Sequence, residues 1–345
     1  MRIAAGIFLA GLLVTAARAG VTSVRKTIGE PGGASCCGPG SPPTLCDGVT
    51  PASANVQVTY DDAAHTLTLL VENTSPVTGG VPNPLLTSLH FNVPAGAVTG
   101  LSLLSQTGSA GAACDWSLQF DPDPTSGGSP AKLACLGAFS ARLFHGGVSN
   151  AIANAAADTL AARAGSWVVG PVTFVLDVTT APGAVLDATD FANAFSHNPP
   201  GDFQVNLGAY FKKGGPQLKK GRISCASACE PSAYVYGAPS LGGTVTFVLG
   251  GTPGCCGCLG LANDAGPTVF ANVPGSAPLA VPLAFPALVL IGTTPLSDAA
   301  AATREISIPT DPTLVGATFH FAGVLADPVT GELSSSTGSS FTIVP

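Results

Sequence analysis

Apolar and polar residues alternate along this chain in short stretches, separated by clusters of Gly, Pro, Asn, Asp and Ser. The stretch Val56-Gln-Val-Thr-Tyr60 has a period of two, Asp61 to Ala64 supplies a turn, and Leu67 to Val71 follows in leucine-rich form, which predicts a β-hairpin. Similar stretches predict strands over Val21–Thr27, Leu86–Val93, Gly100–Leu104, Trp116–Phe120, Trp167–Thr179 and Phe203–Phe211. Past Pro231 and Gly237-Ala-Pro-Ser a new run begins, with candidates at Thr244–Leu249, Leu279–Leu283, Ala287–Ile291, Glu305–Ile308, Thr318–Leu325 and Ser340–Val344. Their spacing is near the ~8 to 12 residues of sandwich hairpins, and no tandem period marks a solenoid. The pattern therefore predicts an all-β chain of two β-sandwich modules, 20–230 and 239–345, joined by a linker at 231–238.

Two stretches depart from this habit. Ser149 to Ala164 is rich in Ala and ends before Gly165, which predicts a helical insertion in the first module. Thr189 to Ala194 predicts a short helical turn, with Asp187 or Thr189 as its cap and Phe191 and Phe195, four apart, facing the core.

The N-terminus has its own pattern. Arg2, an apolar run to about Ala17 and Ala17-Arg18-Ala19 read as a secretory signal peptide over residues 1–19. The run is shorter than the ~20 residues of a membrane-spanning helix, and Gly20 stands where a lipoprotein would have cysteine. A secreted, extracellular or cell-surface location is expected, with no transmembrane segment in the mature chain. Arg2 and Arg18 lie in the leader, so of 13 Lys and Arg the mature chain keeps 11 against 20 Asp and Glu, a net charge of −9. Such a balance argues against nucleic acid as a partner. Gly (43) and Pro (30) are abundant enough to suggest disorder, but a hydrophobic content of 46% suffices for packed cores.

Export changes the reading of the ten cysteines, Cys36, Cys37, Cys46, Cys114, Cys135, Cys225, Cys229, Cys255, Cys256 and Cys258. In an oxidising compartment they are expected to staple loops as disulfides. Adjacent Cα atoms are only about 3.8 Å apart, against about 4.4 to 6.8 Å across a disulfide, so each vicinal pair is expected to branch to different partners. Cys114 with Cys135, Cys225 with Cys229, and Cys46 with Cys36 or Cys37 are the expected bridges. The alternative for the clusters at 36–46 and 255–258 is a soft metal site.

Catalytic motifs are missing. No Gly-x-Ser-x-Gly elbow and no His-Glu-x-x-His helix occurs, and His65, His90, His145, His197 and His320 are scattered. Glu30, Glu72, Glu230, Glu305 and Glu332 stand in no acid/base motif, and no cofactor is implied. Asp121, Asp123 and Thr125 place oxygen ligands at alternate positions, a weak Ca²⁺ candidate beside the plainer reading as a Pro/Gly loop. Lys212, Lys213, Lys219, Lys220 and Arg222 gather five cations within eleven positions. They read either as a solvated hairpin tip that blunts an edge or as a contact for anionic polysaccharide or lipid headgroups. Asn73-Thr-Ser75 fits a glycosylation sequon. Trp116, Trp167, Tyr234 and Tyr236 are the aromatics that a glycan-stacking platform could use.

Two resemblances add to this. The stretches VQVTYDDAAHTLTLLVENTSP, LDATDFANAF and FQVNLGAYFKKGGPQLKKGRIS resemble the exported β-sandwich domains of uncharacterised bacterial proteins with PEP-type C-terminal sorting tails. The stretches APSLGGTVTFVLGGTPG, IPTDPTLVGATFHFAGVLADP and SSSTGSSFTI resemble a terminal β-sandwich of secreted planctomycete-like and myxobacterium-like proteins. The sequence as given carries no Pro-Glu-Pro tail, so release or another mode of retention is expected. Together these readings imply a non-catalytic secreted or envelope-associated protein with a structural or adhesive role, whose partners are cell-surface polysaccharide or other envelope proteins. An extracellular glycan-binding module is the alternative, and an enzyme of unrecognised type the second alternative.

Overall fold

The computed structural model describes residues 20–30, 33–35, 44–45, 48–78, 81–82, 84–108, 116–124, 131–134, 136–145, 171–196, 204–212, 220–226, 231–251, 255–270, 279–283, 288–296, 301–328 and 332–345. Among them the chain is nearly all β, and every ladder between named strands is antiparallel.

The first sandwich is built from β1 (Val21–Ile28), β2 (Gly33–Ser35), β3 (Ala54–Asp61), β4 (Thr66–Asn73), the two-residue strands β5 (Val77–Thr78) and β6 (Val81–Pro82), β7 (Leu85–Phe91), β8 (Val98–Gly108), β9 (Trp116–Phe120), β10 (Ala141–His145), β11 (Val172–Thr180), β12 (Leu207–Lys212) and β13 (Lys220–Ala226). One sheet has the order β1-β3-β4-β11-β8 and the other β2-β13-β12-β7-β10-β9. The predicted hairpin is β3–β4. Asp61 Oδ1 accepts the amides of Ala63 and Ala64 at 3.1 and 3.0 Å, and His65 takes the left-handed conformation (φ 50°) that closes the turn. Alternation then sends Val56, Val58, Tyr60, Leu67, Leu69 and Val71 inward, against Leu89, Phe91, Leu143 and Phe211 of the facing sheet. Fully burying each such side chain is worth ~1.5–3 kcal/mol, which is why period-two patterning fixes which face of each strand is the core.

The second sandwich contains β14 (Ser232–Gly237), β15 (Thr244–Gly250), β16 (Cys256–Ala262), β17 (Ala265–Phe270), β18 (Leu279–Leu283), β19 (Leu288–Pro295), β20 (Ala301–Ser307), β21 (Thr318–Ala326), β22 (Leu333–Ser335) and β23 (Ser339–Thr342). A β14-β15-β20 sheet faces a β19-β16-β21-β22 sheet, with β23 also on β21 and β17–β18 as a separate hairpin. Phe247 sits edge-on to Phe321 and Phe341 in its core, with ring centroids 5.6 Å apart in both pairs.

The predicted short helix is present as α1 (Ala188–Ala192). Asp187 caps it in a reciprocal box with Asp190, and Phe191 and Phe195 are both buried. The Ser149–Ala164 insertion and the leader at 1–19 lie outside the described residues.

The stretch 231–238, expected as a linker, holds β14 instead. Its flanking Pro231 and Gly237 read as spacer punctuation, yet Ala-Tyr-Val-Tyr between them is a strand in its own right. Successive side chains of a strand point to opposite faces, so Tyr234 joins the first core while Val235 joins the second. Val235 also accepts the Val185 amide at 3.0 Å, Gly237 donates to Pro182 at 2.8 Å, and Tyr234 Oη donates to the Ala95 carbonyl at 3.1 Å. Gly96, at φ 75°, leaves room for Tyr236, whose hydroxyl would stand 2.6 Å from a Cβ there.

Candidate functional site

The outer face of the β2-β13-β12-β7-β10-β9 sheet gathers the polar chemistry of the first module. Register places Arg222, Tyr210, Ser88 and Phe144 in one row across β13, β12, β7 and β10, and Ser224, Gly208, His90 and Arg142 in the next. Residues 131–134 and 136–139 fold over the second row, where Leu133, Leu136 and Phe139 make a small core that Tyr210 packs against. Gly208 is required beneath it, because a Cβ there would stand 2.9 Å from Leu133 and 3.0 Å from Phe139.

Under this cover lies an ordered triplet. His90 Nδ1 is 2.9 Å from the Ala131 carbonyl, and Nε2 is 3.0 Å from Ser88 Oγ. A carbonyl only accepts, so Nδ1 carries the proton, and in a neutral imidazole Nε2 then accepts from the Ser88 hydroxyl. Burial pulls the His90 pKa down to about 3, with Arg142 and Arg222 adding to the fall, and Phe139 meets the ring edge-on at 5.4 Å. Nucleophile, base and orienting carbonyl are the parts of a hydrolytic dyad. Yet Ser88 is 3% and His90 2% exposed, so a substrate carbonyl has no approach to Oγ in this conformation. His90 lies on a strand as the sequence predicts, but its partnership with Ser88 was missed. The signal was present as Ser-x-His, two residues on the same face of one strand.

Around the covered row the face is cationic. Strands β7, β9, β10, β12 and β13 carry Arg142, Lys212, Lys220 and Arg222 and no Asp or Glu. Arg142 Cζ stacks 4.4 Å from the Phe144 ring centroid, while Lys212 Nζ and Arg222 Cζ lie 5.2 and 5.5 Å from that of Tyr210. Arg142 is half-buried, and that burial pulls its guanidinium below the ordinary value. Among the described residues its buried Nε has no hydrogen-bond partner, and neither has Oε1 of Gln119, the residue directly opposite on β9. Of the five clustered cations, Arg222 is half-exposed on the sheet face, while Lys212 on the same face is buried. Lys220 pairs with Lys212 in register, and Lys213 and Lys219 lie outside the described residues.

The remaining candidates are dispersed. Asp121 Oδ1 accepts the Asp123 amide at 3.1 Å, an Asx turn at the end of β9, and Thr125 lies outside the described residues. Among the described residues, no group of three or more His, Cys, Asp and Glu is placed to hold a metal ion. Cys255 is buried and disulfide-bonded, whereas Cys256 and Cys258 are free thiols, against the expectation of pairing. The reason is register: Cys256 lies opposite Ala326 and Pro295 and Cys258 opposite Val324, so neither faces another cysteine across the ladder. The other seven cysteines carry no side-chain description, so the expected bridges among them lie outside what the structure describes.

Asn73 of the sequon is buried, donating to the Pro84 carbonyl at 3.0 Å and accepting the Ser75 amide at 3.0 Å. Trp116 is a core residue, 5% exposed and 5.5 Å from Phe174, and Tyr234 is buried as well, so neither offers a ring for stacking a sugar. Trp167 lies outside the described residues. No described helix is long and apolar enough to cross a membrane.

No protein-family model and no curated protein matches the sequence. Among solved structures, the chain is similar to a beta-1,2-glucanase from Parabacteroides distasonis, at 10% identity and a TM-score of 0.19, over 94% of this chain and 37% of that one. It is also similar to the C-terminal domain of the Streptococcus agalactiae AgI/II polypeptide BspA, at 8% identity and a TM-score of 0.18, over 80% of this chain and 92% of that one. The chain spans about a third of the glucanase's length. Superpositions this loose carry no argument about activity or binding.

Proposed function

We propose that this is an exported β-sandwich protein of the cell surface or its surroundings, with a structural or adhesive role and no catalytic turnover. The observation that carries this reading is the arrangement on the outer face of the β2-β13-β12-β7-β10-β9 sheet. Its nucleophile and base, Ser88 and His90, are sealed, while its cations Arg142 and Arg222 are half-exposed. A face that buries its reactive groups and presents fixed charge is built to hold something rather than to transform it. The signal-peptide pattern of residues 1–19 and the resemblance to exported sandwich domains support placement outside the cytoplasm.

Fractionation of cells making the tagged native protein tests the location, with the expected signal in the surface fraction or the medium. Recovery in the cytosol with residues 1–19 still attached defeats the reading. Assay of the purified protein against ester, glycoside and peptide substrates tests the role. A reproducible activity lost in Ser88→Ala would establish the alternative, an enzyme whose cover opens.

A further inference from the structure

We infer that the outer face of the β2-β13-β12-β7-β10-β9 sheet binds an acidic polysaccharide through Arg142 and Arg222; this rests on the adhesive reading above and names its ligand. The first ground is charge segregation. In a chain of net charge −7, five strands of one sheet carry four Lys and Arg, Lys212 among them buried, and no carboxylate, whereas the opposite sheet mixes Arg25 and Lys26 with Asp61, Glu72 and Asp177. The second ground is spacing. Arg222 on β13 and Arg142 on β10 are three strand intervals apart, about 14 Å across the sheet, which suits anionic groups repeated along a polymer better than one small anion. Guanidinium forks recognise carboxylates and sulfates in two-point contacts, and both are held against rings rather than left to wander.

The third ground separates sugars from lipid headgroups. Among the described residues, buried Arg142 Nε is a donor without a partner and buried Gln119 Oε1, across the ladder from it, an acceptor without one. A ligand that draws both outward must supply an acceptor and a donor together, as a carboxylated sugar with free hydroxyls does. The exposed large hydrophobic residues among those described, such as Val21, Leu104 and Val315, lie off these five strands, so the face offers no apolar wedge for a bilayer. Neutral glycans are disfavoured because the available ring, Tyr210, already has Lys212 and Arg222 against it.

Binding of the full-length protein to polygalacturonate, to neutral dextran and to phosphatidylcholine/phosphatidylglycerol vesicles tests this. The expected result is binding to polygalacturonate that weakens with salt, none to dextran, and a loss of at least about tenfold in the Arg142→Gln/Arg222→Gln double variant. Arg304→Gln, an exposed cation on β20, should bind like the wild type. Should the double Gln variant fail to fold by urea denaturation, Arg142→Lys/Arg222→Lys keeps the charge but not the fork, and a clear loss of affinity is still expected. Undiminished binding by whichever pair folds, absence of polygalacturonate binding in the wild type, equal retention on dextran, or binding to vesicles instead overturns the inference. Surface retention on cells is read separately. Cell-bound protein that ignores polygalacturonate leaves the adhesive reading standing without this ligand, and protein that binds the polymer yet is never retained on cells does the reverse.

Discussion

The side-chain amide of Gln106 meets the backbone of Trp116 at both ends, Nε2 donating to its carbonyl at 3.1 Å and Oε1 accepting its amide at 3.0 Å. Gln106 is on β8, the edge of one sheet, and Trp116 opens β9, the edge of the other. One side chain therefore supplies a rung between two sheets that share no ladder there, and it fixes the residue whose ring packs on Phe174. Gln106→Ala leaves both backbone groups of Trp116 to find water at the margin of the core. The expected cost is about 1–2 kcal/mol in urea denaturation, with Gln106→Glu, which keeps the acceptor alone, falling between. An unchanged midpoint for the alanine variant would show that the clamp contributes nothing.

His90 sets an acid limit on stability. Its pKa is near 6.5 in the unfolded chain and about 3 in the folded protein, so as pH falls the unfolded state takes the proton first. The sign is therefore destabilising in acid. Stability is unaffected by this group above about pH 6.5 and declines by up to about 1.4 kcal/mol per pH unit between there and about pH 3. His90→Gln should be less stable at neutral pH, because the geometry to Ser88 and Ala131 changes, yet show a flatter decline through the same window. Parallel pH profiles for the two proteins would remove His90 as the cause.

These effects mark where sequence legibility ends. Alternation on β3 and β4 was readable because each strand buries one face, and the α1 cap was readable because Asp187, Phe191 and Phe195 stand at helical offsets. Strand β14 was not, since a strand whose two faces feed two cores alternates between apolar classes rather than between apolar and polar. Strand β16 was obscured by its cysteines, which drew attention to disulfide chemistry and away from Gly257 and Leu259 on its buried face. The cation cluster at 212–222 was legible as composition. Its continuation to Arg142 depends on the register of β7 between β12 and β10, which no local pattern encodes. Gln106 and Trp116 are close in sequence, but their bond needs the two sheets to be in place first.

Asp187 joins the two sandwiches through one carboxylate. Oδ1 accepts the amides of Thr189 and Asp190 at 2.6 and 3.1 Å, and Oδ2 accepts the hydroxyl of Thr337 from the loop before β23. Asp187→Ala loses the helix cap and the contact together, and ~1–2 kcal/mol is expected from the cap alone. Thr337→Val loses only the contact and should cost about 1 kcal/mol. The double variant is expected to be less destabilised than the two costs added, because both single changes remove the same bond. Strict additivity in urea denaturation would mean that the carboxylate and the hydroxyl act independently.

The three adjacent cysteines of the second sandwich are expected to differ in chemistry because strand geometry separates them. Cys256 and Cys258, two apart on β16, share a half-exposed face, while Gly257 and Leu259 between and beyond them turn to the core and Cys255 is buried in its disulfide. Alkylation with N-ethylmaleimide without reductant should label Cys256 and Cys258 and spare Cys255. Burial pushes the Cys258 thiol up, which lowers its thiolate fraction at neutral pH, so it should need a higher pH for rapid labelling. Peptide mass spectrometry over a pH series reads this directly. Labelling of Cys255 without reductant, or full protection of Cys256 and Cys258, would place the bridge on a different sulfur and undo the assignment of free thiols to β16.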